Sequence, residues 1–471
     1  MGFALHSVLS GRWTQRQGLS SAIIRYFAPK SPVFQWLGAS RLKKFAFLFS
    51  AFVLLSLGLL ACGGGGSSPS ATNPSNGLTE RVFASQSASS GTSFGALVII
   101  DGENDTVARG GVSAGTSPGM MAITPDRSTL LIFDAASNKI DVVNTAKQSN
   151  TGSIQLPGAT TSFVAPTRSV GFAAVPNATQ IGAAPGAVVE MNLTAGGVAA
   201  TISVPAAQTV VSNPGGSQIL AFSNDSDSVT VVYPTLVNSG SPETLSIPGF
   251  DRPVFAVYSS DGSTAYVLNC GPQCGGTQAS VQVVNVVATP PALTGAPIPV
   301  DAATVAYLNG STLYVAGTSP NTSNNACTGE TTAATTCGRL DIVNLNSNTV
   351  TGTAVITDGY HNRIDLGLNG QLFIGSHTCT NIGNVNNVTG EVRGCLSIYN
   401  TNSNSVIIPA DNGDVTGLQG FSSRYVEYVA EGGNLRVYDT QTDTLLDNSY
   451  ISTGTIIITG FITDVKAVDF F

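Results

Sequence analysis

From residue 119 onward the chain reads as short apolar runs separated by polar turns. The first clear unit is GMMAITPDRS, TLLIFDAASN, KIDVVNTAKQSN and TGSIQLPG. Each segment holds four to eight apolar-biased residues, the length of a sheet strand and short for a globular helix. Pro125-Asp126-Arg127-Ser128 and Ala135-Ala136-Ser137-Asn138 lie between segments, and such residues set tight turns. The same four-segment order returns from residues 209, 251, 303, 362 and 418, with a weaker copy at 159–205. We label the four expected strands of each unit A, B, C and D.

A strand unit repeating every 40 to 57 residues has the period of a propeller blade. The expected fold is therefore all-β, a β-propeller of four-stranded blades. Residues 81–117 offer B, C and D candidates (RVFASQS, GALVIID, TVARGGVS) without an A, and 464–471 (DVKAVDFF) offer an A alone. Joined, they make one blade from both ends of the domain and leave no open sheet edge. Seven internal units plus this shared blade predict eight blades. Seven is the alternative, if the weak second unit or the TIIITG stretch is miscounted.

The residues also carry a family resemblance. Tyr266-Val267-Leu268-Asn269, Tyr314-Val315-Ala316-Gly317 and the stretches IDVVNTAKQSNTGSI and LDIVNLNSNTVTGTAVI resemble the YVTN-type β-propeller repeats of bacterial surface and exported proteins. The resemblance covers most of 81–471. Its matched positions are strand and turn positions, so it implies a fold and leaves activity open.

In a four-stranded blade, A–B and C–D connections share one face of the disc, and B–C and D–A connections share the other. The A–B and C–D turns here are short. The B–C loops of the units near 251, 303 and 362 are long, and each holds a cysteine pair: Cys270 with Cys274, Cys327 with Cys337, Cys379 with Cys395. Six cysteines permit fifteen pairings. Local pairing is expected, because both ends of each loop start at neighbouring strands about 5 Å apart. Cys-x3-Cys at 270 lacks a nearby His or second close pair, which argues against zinc.

On this loop-rich face sit two of the three histidines, His361 and His377, with Tyr360 and Arg363 close in sequence. They are candidates for a polar ligand site or a metal site at the channel mouth, although two histidines do not specify a metal on their own, and two surface histidines without a shared task is the preferred reading. Asp251, Asp301 and Asp358 stand just before successive A strands. Read functionally, they form a ring of carboxylates for a hard cation. Read structurally, each fixes its own turn by local hydrogen bonds, and this reading is preferred. No metal and no cofactor are expected.

Charge bears on partners. The chain has 52 Gly and only 10% charged residues. Residues 1–61 hold 7 Lys+Arg and no acid, leaving 20 − 7 = 13 bases against 28 acids in the rest, a balance of −15. Such a surface repels phosphate backbones, so nucleic acid is excluded as a partner.

The N-terminus reads as an address. Arg41, Lys43 and Lys44 precede an apolar run of 17 residues, Phe45 to Ala61, the layout of a secretory signal. It ends in Leu59-Leu60-Ala61-Cys62, which resembles the bacterial lipoprotein box, with Leu60 in place of the usual small residue. The resemblance implies acylation of Cys62 as the first mature residue. A plain transmembrane anchor is the alternative, at the short end of spanning length. Gly63-Gly64-Gly65-Gly66-Ser67-Ser68 follows as a flexible tether. The expected organisation is 1–61 leader and signal, 62–80 tether, and 81–471 propeller, exported and held at the envelope, with the outer membrane or cell surface preferred. Residues 1–40 precede a complete signal and suggest a start site placed too far upstream.

No G-x-S-x-G, H-E-x-x-H, Walker or EF-hand pattern is present in the sequence. The expected function is a monomeric binding or scaffold module acting through the disulfide-pinned face on an envelope protein or glycan. The alternative is a propeller lactonase or hydrolase using Asp358, His361 and Arg363.

Overall fold

The computed structural model describes residues 77–87, 95–180, 182–234, 243–320, 336–380, 394–409, 413–451 and 453–469. The leader, Cys62, most of the tether and Cys327 lie outside the described residues. The structure is an eight-bladed β-propeller, each blade an antiparallel sheet with its strands in the order A, B, C, D. Blades 1 to 7 span 118–155, 162–203, 207–248, 253–299, 305–356, 360–407 and 415–456. Blade 8 joins Phe461–Asp469 to Glu80–Ser87, Ala96–Asp101 and Thr106–Val112. Among the described residues no helix is long and apolar enough to cross a membrane.

Blades bury both faces, which is why their B strands read as unbroken apolar runs. In blade 1, Leu131 and Phe133 pack against Phe163, Val189 and Met191 of blade 2. The alternate residues Leu130 and Ile132 pack against Phe83 and Leu97 of blade 8. Successive side chains of a strand point to opposite faces, so one strand feeds two interfaces. Eight apolar clusters occupy the eight gaps between blades, including that between blades 8 and 1. Each fully buried Leu, Ile or Phe contributes roughly 1.5–3 kcal/mol relative to exposure.

The expected closure is present. Glu80–Ser87 pairs antiparallel with Phe461–Asp469, from Glu80↔Asp469 to Ser87↔Phe461. The closing A strand begins at Phe461, three residues earlier than the sequence segment suggests. The TIIITG stretch belongs to blade 7. Its outer strand is split into Thr444–Leu445 and Thr455–Ile456, both paired with Asn434–Asp439. Asn448 Oδ1 accepts the N–H groups of Tyr450 (2.8 Å) and Ile451 (2.9 Å), a local turn that interrupts the ladder.

The C–D turns share one chemistry. Asn144, Asn192, Asn285, Asn344, Asn400 and Asp439 each end a C strand and accept backbone N–H bonds from two or three residues on. This side chain-to-backbone bond mimics a turn and stops the strand. Blade 3 departs from this pattern, with its C strand ending at Val232 and its D strand starting at Thr244.

Candidate functional site

Two of the expected disulfides are bonded as paired by sequence. Cys270–Cys274 and Cys379–Cys395 each span 5.6 Å between Cα atoms, within the range a bridge tolerates. Cys337 is also disulfide-bonded, while its expected partner Cys327 lies outside the described residues. The blade 5 hairpin is longer than its neighbours, Thr312–Pro320 with Thr336–Asn344, so Cys337 falls inside the C strand rather than before it.

The blade 4 loop reaches across neighbouring blades. Its 3-10 turn Gly271–Cys274 presents Gln273, whose Oε1 accepts from Thr318 N of blade 5 at 2.9 Å. Gln273 Nε2 donates to Gly359 O, before blade 6, at 3.4 Å. Blades 4, 5 and 6 are thereby stitched together on the loop-rich face.

The three aspartates anchor turns. Asp251 Oδ2 accepts from Thr277 N (2.9 Å), Thr277 Oγ1 (2.5 Å) and Gln278 N (2.7 Å). Burial opposes its ionisation, but these donors outweigh it and hold the carboxyl below its ordinary value. Asp358 accepts from Thr380 N (2.7 Å), Thr380 Oγ1 (2.6 Å) and Thr336 Oγ1 (2.7 Å), clamping the loops of blades 5 and 6. Asp301 faces Arg339 at 3.7 Å, and its N–H donates to Asp341 Oδ2 at 2.7 Å. Asp341, not singled out in the sequence, is pushed up to about 6 by burial and by Asp301. Among the described residues no group of three or more His, Cys, Asp or Glu is placed to hold a metal.

His361 and His377 diverge in environment. His361 is fully buried, and its Nε2 lies 2.9 Å from Thr357 O. That contact requires an N–H on Nε2, leaving Nδ1 as a bare acceptor with no partner among the described residues. Burial pushes its pKa down to about 4, so the ring is neutral. His377 is half-buried and faces Tyr360 directly across the A–B ladder, ring centroids 5.3 Å apart. Arg363 donates from Nε to Thr416 O at 2.7 Å and from Nη1 to Asn362 O at 3.0 Å, tying blade 6 to blade 7. His361, Arg363 and Asp358 therefore do not meet around one opening.

The opening lies beside them. A cleft of 260 Å³ on the loop-rich face is lined by residues of blade 3 (among them Gln208, Phe222, Asn224 and Asp225), by Arg252, Pro253 and Val254 of blade 4, by Cys274, and by Tyr360. Asp225 and Arg252 hold left-handed backbones, φ 53° and 57°, as do turn residues elsewhere in the ring such as Asn138 and Asn348. Arg252 lies 3.8 Å from both Asp225 and Asp227. Of the sequence candidates, Tyr360 and one disulfide cysteine line this cleft. Arg252 and Asp225 were missed, since the packing of blade 3 against blade 4 is what brings them to the cleft.

A second feature missed in the sequence lies toward the face of the short A–B turns. Asp365 accepts from Leu366 N (2.9 Å), Gly420 N (3.1 Å) and Gln419 Nε2 (3.2 Å). Glu427 of blade 7 is fully buried, and neither carboxyl oxygen meets a donor among the described residues. Burial first, and then the Asp365 charge, push Glu427 well above the ordinary carboxyl range. Both shifts favour the protonated form of Glu427 beside the Asp365 carboxyl.

No family model matches the chain, and no curated protein matches it. Solved structures with the same fold are numerous. One is the dihydro-heme d1 dehydrogenase NirN in complex with DHE, at 11% identity and TM-score 0.55, covering 85% of this chain and 78% of that one. Another is the periplasmic gluconolactonase PpgL of Pseudomonas aeruginosa, at 14% identity and TM-score 0.44, covering 83% and 99%. A putative 6-phosphogluconolactonase of Bacteroides fragilis has 12% identity and TM-score 0.45, covering 84% and 100%. At these identities the likeness establishes the propeller fold alone.

Proposed function

We propose that this chain is a lipid-anchored, exported β-propeller that binds an envelope protein or glycan through its disulfide-bonded loop face. The observation that carries the reading is the cleft at Arg252 and Tyr360, walled by Cys274 and set among loops pinned by bridges and by Asp251 and Asp358. Rigid scaffolds place recognition in such loops. Disulfides persist in oxidising compartments, in keeping with the signal-like segment before Cys62. The YVTN-like stretches fit the same class of exported proteins.

A hydrolytic role would need Asp358, His361 and Arg363 to converge, and each is engaged in holding blades and loops.

The test is retention of envelope material by the intact chain and by a variant with the three long B–C loops trimmed. Loss of the retained partner on trimming, with the melting transition kept, is expected. Equal retention by both would move binding away from this face.

A further inference from the structure

Resting on that reading, we propose that the cleft between blades 3 and 4 takes a neutral saccharide unit through a pair of adjacent ring hydroxyls. Three observations point to this chemistry.

The first is the order of donors and acceptors. Arg252 stands between two carboxylates, Asp225 and Asp227, each 3.8 Å away. At that distance the pairs are ionic contacts and longer than hydrogen bonds. Asp227 Oδ1 also accepts from Arg252 N at 3.2 Å and stands behind the lining, whereas the Arg252 guanidinium and Asp225 both line the cleft. A donor beside an acceptor is the array that suits neighbouring hydroxyls, because each hydroxyl both donates and accepts. Gln208, Thr209, Ser223, Asn224 and Ser226 on the walls offer further groups of both kinds.

The second is charge. One guanidinium against two carboxylates leaves the rim net negative, which disfavours a phosphate or carboxylate ligand. The surplus carboxylate is solvent-exposed, Asp225 at 90% and Asp227 at 65%, so water satisfies it and no cation is required.

The third is an exposed ring at the rim. Tyr360 lines the cleft, is 37% exposed and lies 5.3 Å from the His377 ring. An aromatic surface beside a polar array matches a sugar, which has a C–H face and a hydroxyl edge. The volume of 260 Å³ is small for a ligand pocket and suits one ring of a longer glycan.

The test is a calorimetric and saturation-transfer titration of the full chain with glucose, galactose, mannose and N-acetylglucosamine. Galacturonate and cyclohexanol serve as the anionic and apolar controls. At least one neutral hexose should bind saturably with millimolar affinity, and both controls should not. Arg252→Gln and Tyr360→Ala should each weaken that hexose about tenfold or more, with the melting temperature within a few degrees of the parent. Silence from all four hexoses, equal binding of either control, or indifference to Arg252→Gln would overturn the assignment. If the hexoses fail while loop trimming still abolishes envelope retention, the ligand class is wrong and the binding face stands. If a hexose binds and trimming leaves retention unchanged, the cleft stands and the wider face does not.

Discussion

Ser85 and Thr463 share a hydrogen bond of 2.8 Å across 378 residues of sequence. It joins the first strand of the propeller to the last. One residue on, Asp464 Oδ2 accepts from Met121 N of blade 1 at 2.7 Å, so the final strand also holds the next blade. Val465 and Val468 are fully buried and Ala467 nearly so. Deleting 464–471 removes these groups and bares the edge of Glu80–Ser87. We expect insoluble or protease-sensitive product, since an open edge invites pairing with other chains. A soluble deletion variant that melts cooperatively would place the closure elsewhere.

His361 makes stability fall in acid. Its pKa drops from 6.5 to about 4 on folding, mainly by burial, with His377 adding to this and Asp358 and the Thr357 carbonyl opposing it. A base with a lowered folded value binds fewer protons than in the unfolded chain. Its contribution is complete above the unfolded value and is lost as pH falls from about 6.5 through about 4, a total on the order of 3 kcal/mol. His361→Gln keeps an N–H able to reach Thr357 O and has no proton to gain. Urea melts at a series of pH values should show a flatter acid limb for this variant. An unchanged limb would assign the acid sensitivity to other groups.

Glu427 works in the opposite direction. Its folded value lies above the ordinary 4.5, so the folded state holds a proton that the unfolded chain releases. Stability tied to this carboxyl is complete below about 4.5 and declines as pH rises above it. Glu427→Gln keeps the shape, gains an amide donor toward Asp365 and removes the ionisation. It should raise stability at mildly alkaline pH by about 2 kcal/mol. A loss at alkaline pH would show that the ionised pair is accommodated. Gly420→Ala tests the same packing, because a Cβ there would sit 2.5 Å from Glu427 Oε2, and it should be destabilising at every pH.

The architecture was legible because it repeats. Apolar runs marked the B and C strands, and the Asn or Asp closing each C strand, as in Asn344 and Asp439, marked the turns. The Cys379–Cys395 bridge followed from strand adjacency, whereas Cys270–Cys274 closes within the 3-10 turn ahead of the C strand. The environment of His361 did not follow, because it depends on a register shift between His361 and Arg363. A shift of one residue reverses which side a side chain faces, and here the histidine lies in the interior. Asp365 and Glu427 belong to different blades 62 positions apart, so the packing of blades, and not local pattern, brings them together. The split outer strand of blade 7 was likewise invisible, since Thr455–Ile456 rejoins Leu435–Arg436 only after a turn set by Asn448.

The two described bridges should differ in weight. Cys379–Cys395 has a sequence separation of 16 and Cys270–Cys274 of 4. In the chain-entropy account the larger loop is worth about 3 kcal/mol and the smaller about 2 kcal/mol. Double Cys→Ser variants should follow that order in their melting temperatures. Peptide mapping without reductant should find 270 linked to 274, 379 to 395, and 337 to 327. Any peptide joining different loops would break the blade register on which the binding face rests.

The proposed lipid attachment at Cys62 is open to a direct test. Cys62→Ser should abolish acyl labelling and release the protein from membranes, since stable anchoring needs more than one acyl chain or signal. It should leave hexose binding at the cleft untouched. Undiminished membrane fractionation of the variant would rule out the lipid anchor.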